Sequence, residues 1–392
     1  MDAVARCLSS PSESTTTAVV ATTVITTLAL ASLTRFALWP RKPQIIPGAL
    51  TTSVPRLSKE ELAKVTYRPD HFPGARDVAT PYGTIRVYEF GPEQGRKVLL
   101  VHGISTSCMT LSDIANGLVE KGCRVMTYDL FGRGFSDAPG DLPYDTRLFM
   151  TQILLVLASS PLAWTGNNAF SLVGYSLGGG IAVNFAATFP DMVESLILLS
   201  PAGLIRPENI GRLSRLVFTS GIVPERLLAW MTKSRLRAPI DNAVSKRKTP
   251  AGKTLPSIEE KEDMVDLAVQ EAVDPAKEQS PTPFEIDVGS FVHWSIDHNE
   301  GFVLAMMSTF QYGPLMEQQQ YWRLLAKRKP GTTAVLIGHD DNLIQHEDYE
   351  EDALPLIGGK DNVFWRLVPG AHNFPFTHAD SALKAIYEFW EI

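Results

Sequence analysis

Phe170-Ser171-Leu172-Val173-Gly174-Tyr175-Ser176-Leu177-Gly178-Gly179-Gly180-Ile181-Ala182 decides the fold. A short apolar run bounded by glycine predicts a buried strand, and the small-residue stretch after it predicts a helix. The two leave almost no room for a loop, so the chain must turn sharply at Ser176. Small residues at 174 and 178 permit that bend, and the serine hydroxyl then stands above the end of a sheet, over a helix N-terminus that favours negative charge. G-x-S-x-G alone is a weak pattern in a chain with 28 glycines. Strand before and helix after make it specific.

Outward from this turn, β-rich runs alternate with helical stretches. Strands are expected at 78–80, 84–90, 97–101, 124–129, 170–174 and 195–200, with helices at 111–121, 145–158 and 177–189 between them. Such alternation predicts an α/β fold, with a mostly parallel central sheet and helices on both faces. The sheet resumes at 332–338 and closes with a strand at 363–368 and a helix at 379–390. Over a hundred residues between Pro201 and Leu325 carry no clear strand, too many for a connecting loop, so an inserted helical cap is expected there. Within it, Phe291, Trp294, Phe302, Val303, Met306, Met307 and Phe310 fall at helical spacing, as core or as the lining of an apolar pocket. Residues 245–285 are charged and proline-interrupted and predict a surface excursion of the cap.

Three motifs together resemble the α/β-hydrolase superfamily, from about residue 78 to the C-terminus. They are the Gly174-Tyr175-Ser176-Leu177-Gly178 elbow, His102-Gly103 after the third strand, and the D-x-x-G-x-G-x-S segment from Asp129 to Ser136. The resemblance implies Ser176 as nucleophile, with the backbone N–H groups of Ile104 and Leu177 forming an oxyanion hole. It also implies an acid and then a histidine later in the chain. The strand Val335-Leu336-Ile337-Gly338 runs into His339-Asp340-Asp341, which points to Asp341, with Asp340 one register step away. His372, in Val368-Pro369-Gly370-Ala371-His372, matches the histidine loop, with alanine at 371 where glycine is commoner. His378 is its nearest competitor.

The chemistry so implied is acyl transfer through a covalent intermediate, with no cofactor and no metal. A serine at the elbow disfavours haloalkane dehalogenase and epoxide hydrolase chemistry, which need a carboxylate there. A carboxylic ester hydrolase acting on a small apolar ester, lipid-like or a secondary metabolite, is the leading expectation. Thioester, amide and carbon–carbon bond hydrolysis stay open, as does a scaffold of the same fold that binds without catalysis.

The chain has 392 residues and a formal net charge of −7, with no basic footprint for nucleic acid. Three scattered cysteines, Cys7, Cys108 and Cys123, suggest neither a disulfide framework nor a four-ligand zinc site and suit a reducing compartment. No N-x-S/T acceptor occurs, in keeping with a catalytic domain outside the secretory lumen. Residues 18–34 carry no charge, and extension to Trp39 gives a helix of about 33 Å against a hydrocarbon core of roughly 30 Å. Arg35, Arg41 and Lys42 follow it, so the positive-inside rule predicts a single-pass anchor with the hydrolase domain in the cytosol. A signal peptide cut after Ala29-Leu30-Ala31, giving a secreted protein, and a transit peptide are the competing readings. The expected organisation is a tail at 1–17, an anchor at 18–39, a linker at 40–74 with a short helix near 58–64, a core at 75–203 and 323–392, and a cap at 204–322.

Overall fold

The computed structural model describes residues 13–38, 43–219, 225–236, 271 and 281–392. An eight-stranded sheet organises them: β2 (Ala75–Thr80), β3 (Gly83–Phe90), β4 (Lys97–Val101), β5 (Arg124–Tyr128), β7 (Phe170–Tyr175), β8 (Val193–Leu199), β9 (Thr333–Gly338) and β10 (Phe364–Val368). Their spatial order is β10-β9-β8-β7-β4-β5-β3-β2. β3 runs antiparallel to both neighbours, and every other pairing is parallel. Strands β4, β7, β8 and β9 are apolar runs buried along nearly their whole length, as a sheet covered on both faces requires. Because the parallel strands share one direction, their carboxyl ends open on one edge, where loops from distant parts of the sequence converge.

The intervening helices follow from local signals. The helix Thr146–Ala158 starts where the Asp145 carboxylate accepts hydrogen bonds from the N–H groups of Arg147 and Leu148, at 3.0 and 3.2 Å. The helix Leu177–Thr188 lies against β7 and is buried over its first ten residues. Between β8 and β9 the described residues form helices at Arg212–Thr219, Glu225–Leu236, Pro283–His298, Gly301–Tyr312 and Gln319–Leu325. Of the apolar stripe in this segment, Phe291, Phe302, Val303, Met306, Met307 and Phe310 are buried in the main core, and Trp294 packs against it half-buried.

Residues 43–74, expected as a linker, are instead part of the folded body. Strand β1 (Ile45–Ile46) pairs antiparallel with β6 (Ala138–Pro139), and Gly48 N–H donates to Asp137 at 2.7 Å. Tyr67 and Phe72 are buried, the Tyr67 hydroxyl donating to Asp129, and the Ser53 hydroxyl donates to the His298 carbonyl at 2.7 Å. The many prolines made this stretch look open, while its burial depends on partners far away in sequence that local periodicity does not reveal. The short helix is present at Lys59–Leu62, closed by a capping box between Ser58 and Glu61.

The helix Glu13–Leu38 contains the exposed apolar window Ala18–Arg35, long and apolar enough to cross a membrane. An N-terminal signal sequence meets the same length and composition test.

Candidate active site

Ser176 follows β7 directly and precedes the helix Leu177–Thr188 with φ 53° and ψ −120°, in a region that residues with a Cβ seldom enter. The strain is held by hydrogen bonds on both sides: Ser176 N–H donates to the Leu199 carbonyl at 3.0 Å, and its carbonyl accepts from Gly179 and Ala202 N–H at 2.9 and 2.8 Å. Close approach explains the flanking glycines. A Cβ on Gly174 would lie 2.3 Å from the Gly178 carbonyl oxygen, and one on Gly178 would lie 2.1 Å from that of Val101.

His372 lies on the loop after β10, and its Nε2 is 3.0 Å from Ser176 Oγ. Its Nδ1 is 2.9 Å from Asp341 Oδ2, and the other carboxylate oxygen of Asp341 accepts from Leu343 and Ile344 N–H at 2.9 and 2.8 Å. All three residues are buried. Burial pulls the His372 imidazole down, yet the Asp341 charge and hydrogen bond, with the Glu271 charge, outweigh it and leave the ring above its ordinary value. Asp340 takes the opposite direction, its exposed carboxylate 2.8 Å from His339 Nδ1. His378 is occupied elsewhere, with Nδ1 3.0 Å from the Thr377 hydroxyl.

The turn after β4 supplies the fourth component. His102 Nε2 accepts from Leu130 N–H at 2.9 Å, which leaves Nδ1 to donate to the Gly103 carbonyl at 2.9 Å. The ring is therefore neutral, and burial with the Arg133 charge pushes it down to about 3. Arg133 grips the same turn from behind, its Nε donating to the Ile104 carbonyl at 2.9 Å and Nη2 to Thr309 Oγ1 at 2.9 Å. The Ile104 carbonyl is thus engaged by Arg133, and its N–H has a separate partner.

That N–H meets a residue sequence reasoning missed. Glu271 Oε1 accepts from Ile104 N–H at 2.8 Å, and Oε2 accepts from Ser105 N–H at 2.6 Å and Ser105 Oγ at 2.7 Å. Glu271 belongs to the stretch expected as a surface excursion, yet it is fully buried, as is Glu285, whose carboxylate accepts from Asn373 Nδ2 at 3.0 Å. The rest of 245–280 lies outside the described residues. A lone glutamate in a charged run carries no local signal of burial, because its partners are backbone amides some 167 positions earlier.

Asp129 and Ser136 of the D-x-x-G-x-G-x-S segment are fully buried, the Ser136 hydroxyl donating to the Asp129 carbonyl at 2.7 Å. The Asp129 carboxylate accepts from Phe135 N–H at 2.9 Å, Cys108 N–H at 3.2 Å and the Tyr67 hydroxyl, and burial raises it to about 6. Among the described residues no group of three or more His, Cys, Asp or Glu is placed to hold a metal ion.

A sheet of this order, with a serine on a strained strand-to-helix turn after β7, a histidine reaching it from the end of β10 and a carboxylate reaching that histidine from the end of β9, defines the α/β-hydrolase class. The chain belongs to that family: the family model for the alpha/beta hydrolase fold matches residues 97–379. It is similar to the serine hydrolase-like protein of Danio rerio, 32% identical over 129 residues, which is 33% of this chain and 38% of the relative. The human serine hydrolase-like protein is 33% identical over 139 residues, 35% of this chain and 65% of the relative. The chain thus spans less than two thirds of the length of these relatives. Among solved structures, a carboxylesterase of Nitrososphaera gargenis matches 81% of this chain and 98% of its own at 15% identity, with a TM-score of 0.55. A membrane phospholipase A, described as a bacterial virulence factor, matches 96% and 98% at 17% identity, also with a TM-score of 0.55. At such identities the likeness is one of fold.

Proposed function

We propose that the protein is a serine hydrolase that cleaves a carboxylic ester through an acyl-enzyme intermediate. The observation that carries this reading is the hydrogen-bonded line from Asp341 through His372 to Ser176, with steps of 2.9 and 3.0 Å. In it, His372 Nε2 takes the Ser176 proton as Oγ attacks the ester carbonyl, and Asp341 keeps the proton-bearing Nδ1 in place. The N–H groups of Ile104 and Leu177 stabilise the oxyanion, the alcohol leaves with the proton from His372, and water then releases the acid by the same path. No cofactor enters the scheme.

The chain divides accordingly into an anchor at 18–39, a core at 75–203 and 323–392 joined by the packed segment 43–74, and a cap at 204–322. The apolar window of the N-terminal helix favours an apolar, membrane-dissolved ester and a single-pass protein whose hydrolase domain lies in the cytosol.

Labelling of the full chain with a fluorophosphonate, followed by turnover of p-nitrophenyl esters of graded acyl length, tests the reading. Label on Ser176 and hydrolysis favouring longer acyl chains are expected. Absence of labelling in the parent and in every folded Glu271 variant would support a binding scaffold, and labelling with turnover of thioesters or amides alone would move the scissile bond.

A further inference from the structure

We propose that Glu271 is a built-in inhibitor of this site: its carboxylate occupies the oxyanion hole in the resting chain, and a substrate must displace it before Ser176 can react. The inference rests on the assignment of Ser176, His372 and the Ile104 amide made above.

An oxyanion hole works by presenting N–H donors at roughly 2.7–3.1 Å from the oxygen on which negative charge develops. Ile104 N–H already spends its hydrogen on Glu271 Oε1 at 2.8 Å, within the range of a charge-assisted bond. The neighbouring bonds from Ser105 N–H and Oγ fix the second oxygen, so the carboxylate is held by three donors at once. All three lie on one turn. A substrate carbonyl seeking Ile104 N–H therefore meets an oxygen that is already there.

The turn is shaped for this occupant. A Cβ on Gly103 would fall 1.1 Å from Glu271 Oε1, so the carboxylate fills space that only glycine at 103 leaves open. Electrostatics adds to the fit. Buried Arg133, which holds the Ile104 carbonyl, and His372 both have their charged forms favoured by a negative charge on Glu271. Against this, burial works on Glu271 itself and raises its carboxyl, so the contact carries a desolvation cost and is reversible.

Two states follow: one with Glu271 on the 104–105 turn, in which Ser176 and His372 are aligned but the hole is filled, and one with the turn free. Reactivity scales with the fraction in the free state. The test measures the second-order rate of fluorophosphonate labelling on the full-length chain, because phosphonylation of the serine draws on the same N–H donors. Glu271→Ala, with its melting temperature monitored, is expected to label about ten-fold faster than the parent or more. Glu271→Gln, which keeps the shape and removes the charge, is expected to accelerate labelling by a smaller factor and serves if the alanine variant fails to fold. Ser176-dependent labelling at the parent rate or slower in folded Glu271 variants would overturn the plug and leave the nucleophile standing. Labelling that survives Ser176→Ala, or that occurs in no variant, would instead overturn the assignment of Ser176 itself.

Discussion

Asp340 and Asp341 are consecutive, yet they face opposite surroundings: Asp341 is buried and meets His372 Nδ1 at 2.9 Å, while Asp340 is exposed and pairs with His339. The turn that separates them is fixed by His339 N–H and Asp340 N–H donating to the Val368 and Gly370 carbonyls at 2.8 and 3.0 Å, which binds the end of β9 to the end of β10. Asp341→Asn is expected to lower kcat by several orders of magnitude, because an amide at this position favours the wrong imidazole tautomer. Asp340→Asn should fall by less than about three-fold, as surface substitutions away from the chemistry do. Steady-state kinetics of the two variants side by side checks the ranking, and a reversed ranking would reassign the acid.

Ser176→Ala and His372→Ala should each remove nearly all turnover, and the double variant should be little worse than either. Residues that act as one unit lose their function together, so their penalties do not add. A double-mutant cycle in kcat reads this directly, with additive losses counting against a shared step.

The activity should rise with pH. His372 must be neutral to accept the Ser176 proton, and Asp341 and Glu271 hold the ring above its ordinary value, so the acid limb of kcat/KM should have its midpoint above 6.5. Besides these two carboxylates, the Tyr175 ring lies 5.4 Å from the imidazole. Glu271→Gln deletes one of the charges that raise His372, so the limb should move to lower pH. A pH–rate profile of both proteins measures the sign, and a shift upward would place Glu271 away from His372 in solution.

Asp129 should make stability depend on pH. Its carboxyl lies near 6 in the folded chain against 3.8 as a model value, so the folded state binds the proton more tightly than the unfolded one. The stabilisation is complete below about pH 3.8 and is lost as pH rises through about 6, with a ceiling on the order of 3 kcal/mol. Denaturant titrations of the parent and Asp129→Asn should show a stability gap that narrows over this interval. A gap that widens with pH would mean the carboxylate is ionised throughout.

Truncation should be tolerated only up to residue 42. Removing 1–42 leaves β1 and Gly48 to hold β6 and Asp137, and a soluble domain that labels at Ser176 is expected. Removal of 1–74 also deletes buried Tyr67 and Phe72 and should give insoluble or unfolded protein, checked by circular dichroism and thermal melting. In sealed microsomes the full chain should resist carbonate extraction and expose its hydrolase domain to protease. A mature terminus at Ser32 would establish a signal peptide, and protection without cleavage would invert the topology.

The sequence was most legible where local pattern and chemistry coincide. The apolar runs at β4, β7, β8 and β9 and the turn at Ser176 each carry their own signal, because a buried parallel strand is apolar throughout and the elbow needs small residues at 174 and 178. Asp341 and His372 are read from strand-end motifs, and in the structure the two meet at 2.9 Å, with His372 3.0 Å from Ser176 Oγ. The packing of residues 43–74 and the burial of Glu271 are not legible for one reason: each depends on contacts over tens to hundreds of positions, β1 with Ala138–Pro139 and Glu271 with Ile104–Ser105. A pattern read within a window of about 18 residues has no access to such pairings.

The pairing of Ile45–Ile46 with Ala138–Pro139 also sets a length. The N-terminal helix is described to Leu38 and the folded body holds the chain from Pro43, so at most about 18 Å of extended chain joins them. With that helix in a bilayer, the body is moored by a tether shorter than its own width. Its search for an ester becomes two-dimensional, with a local concentration set by mooring rather than by expression level.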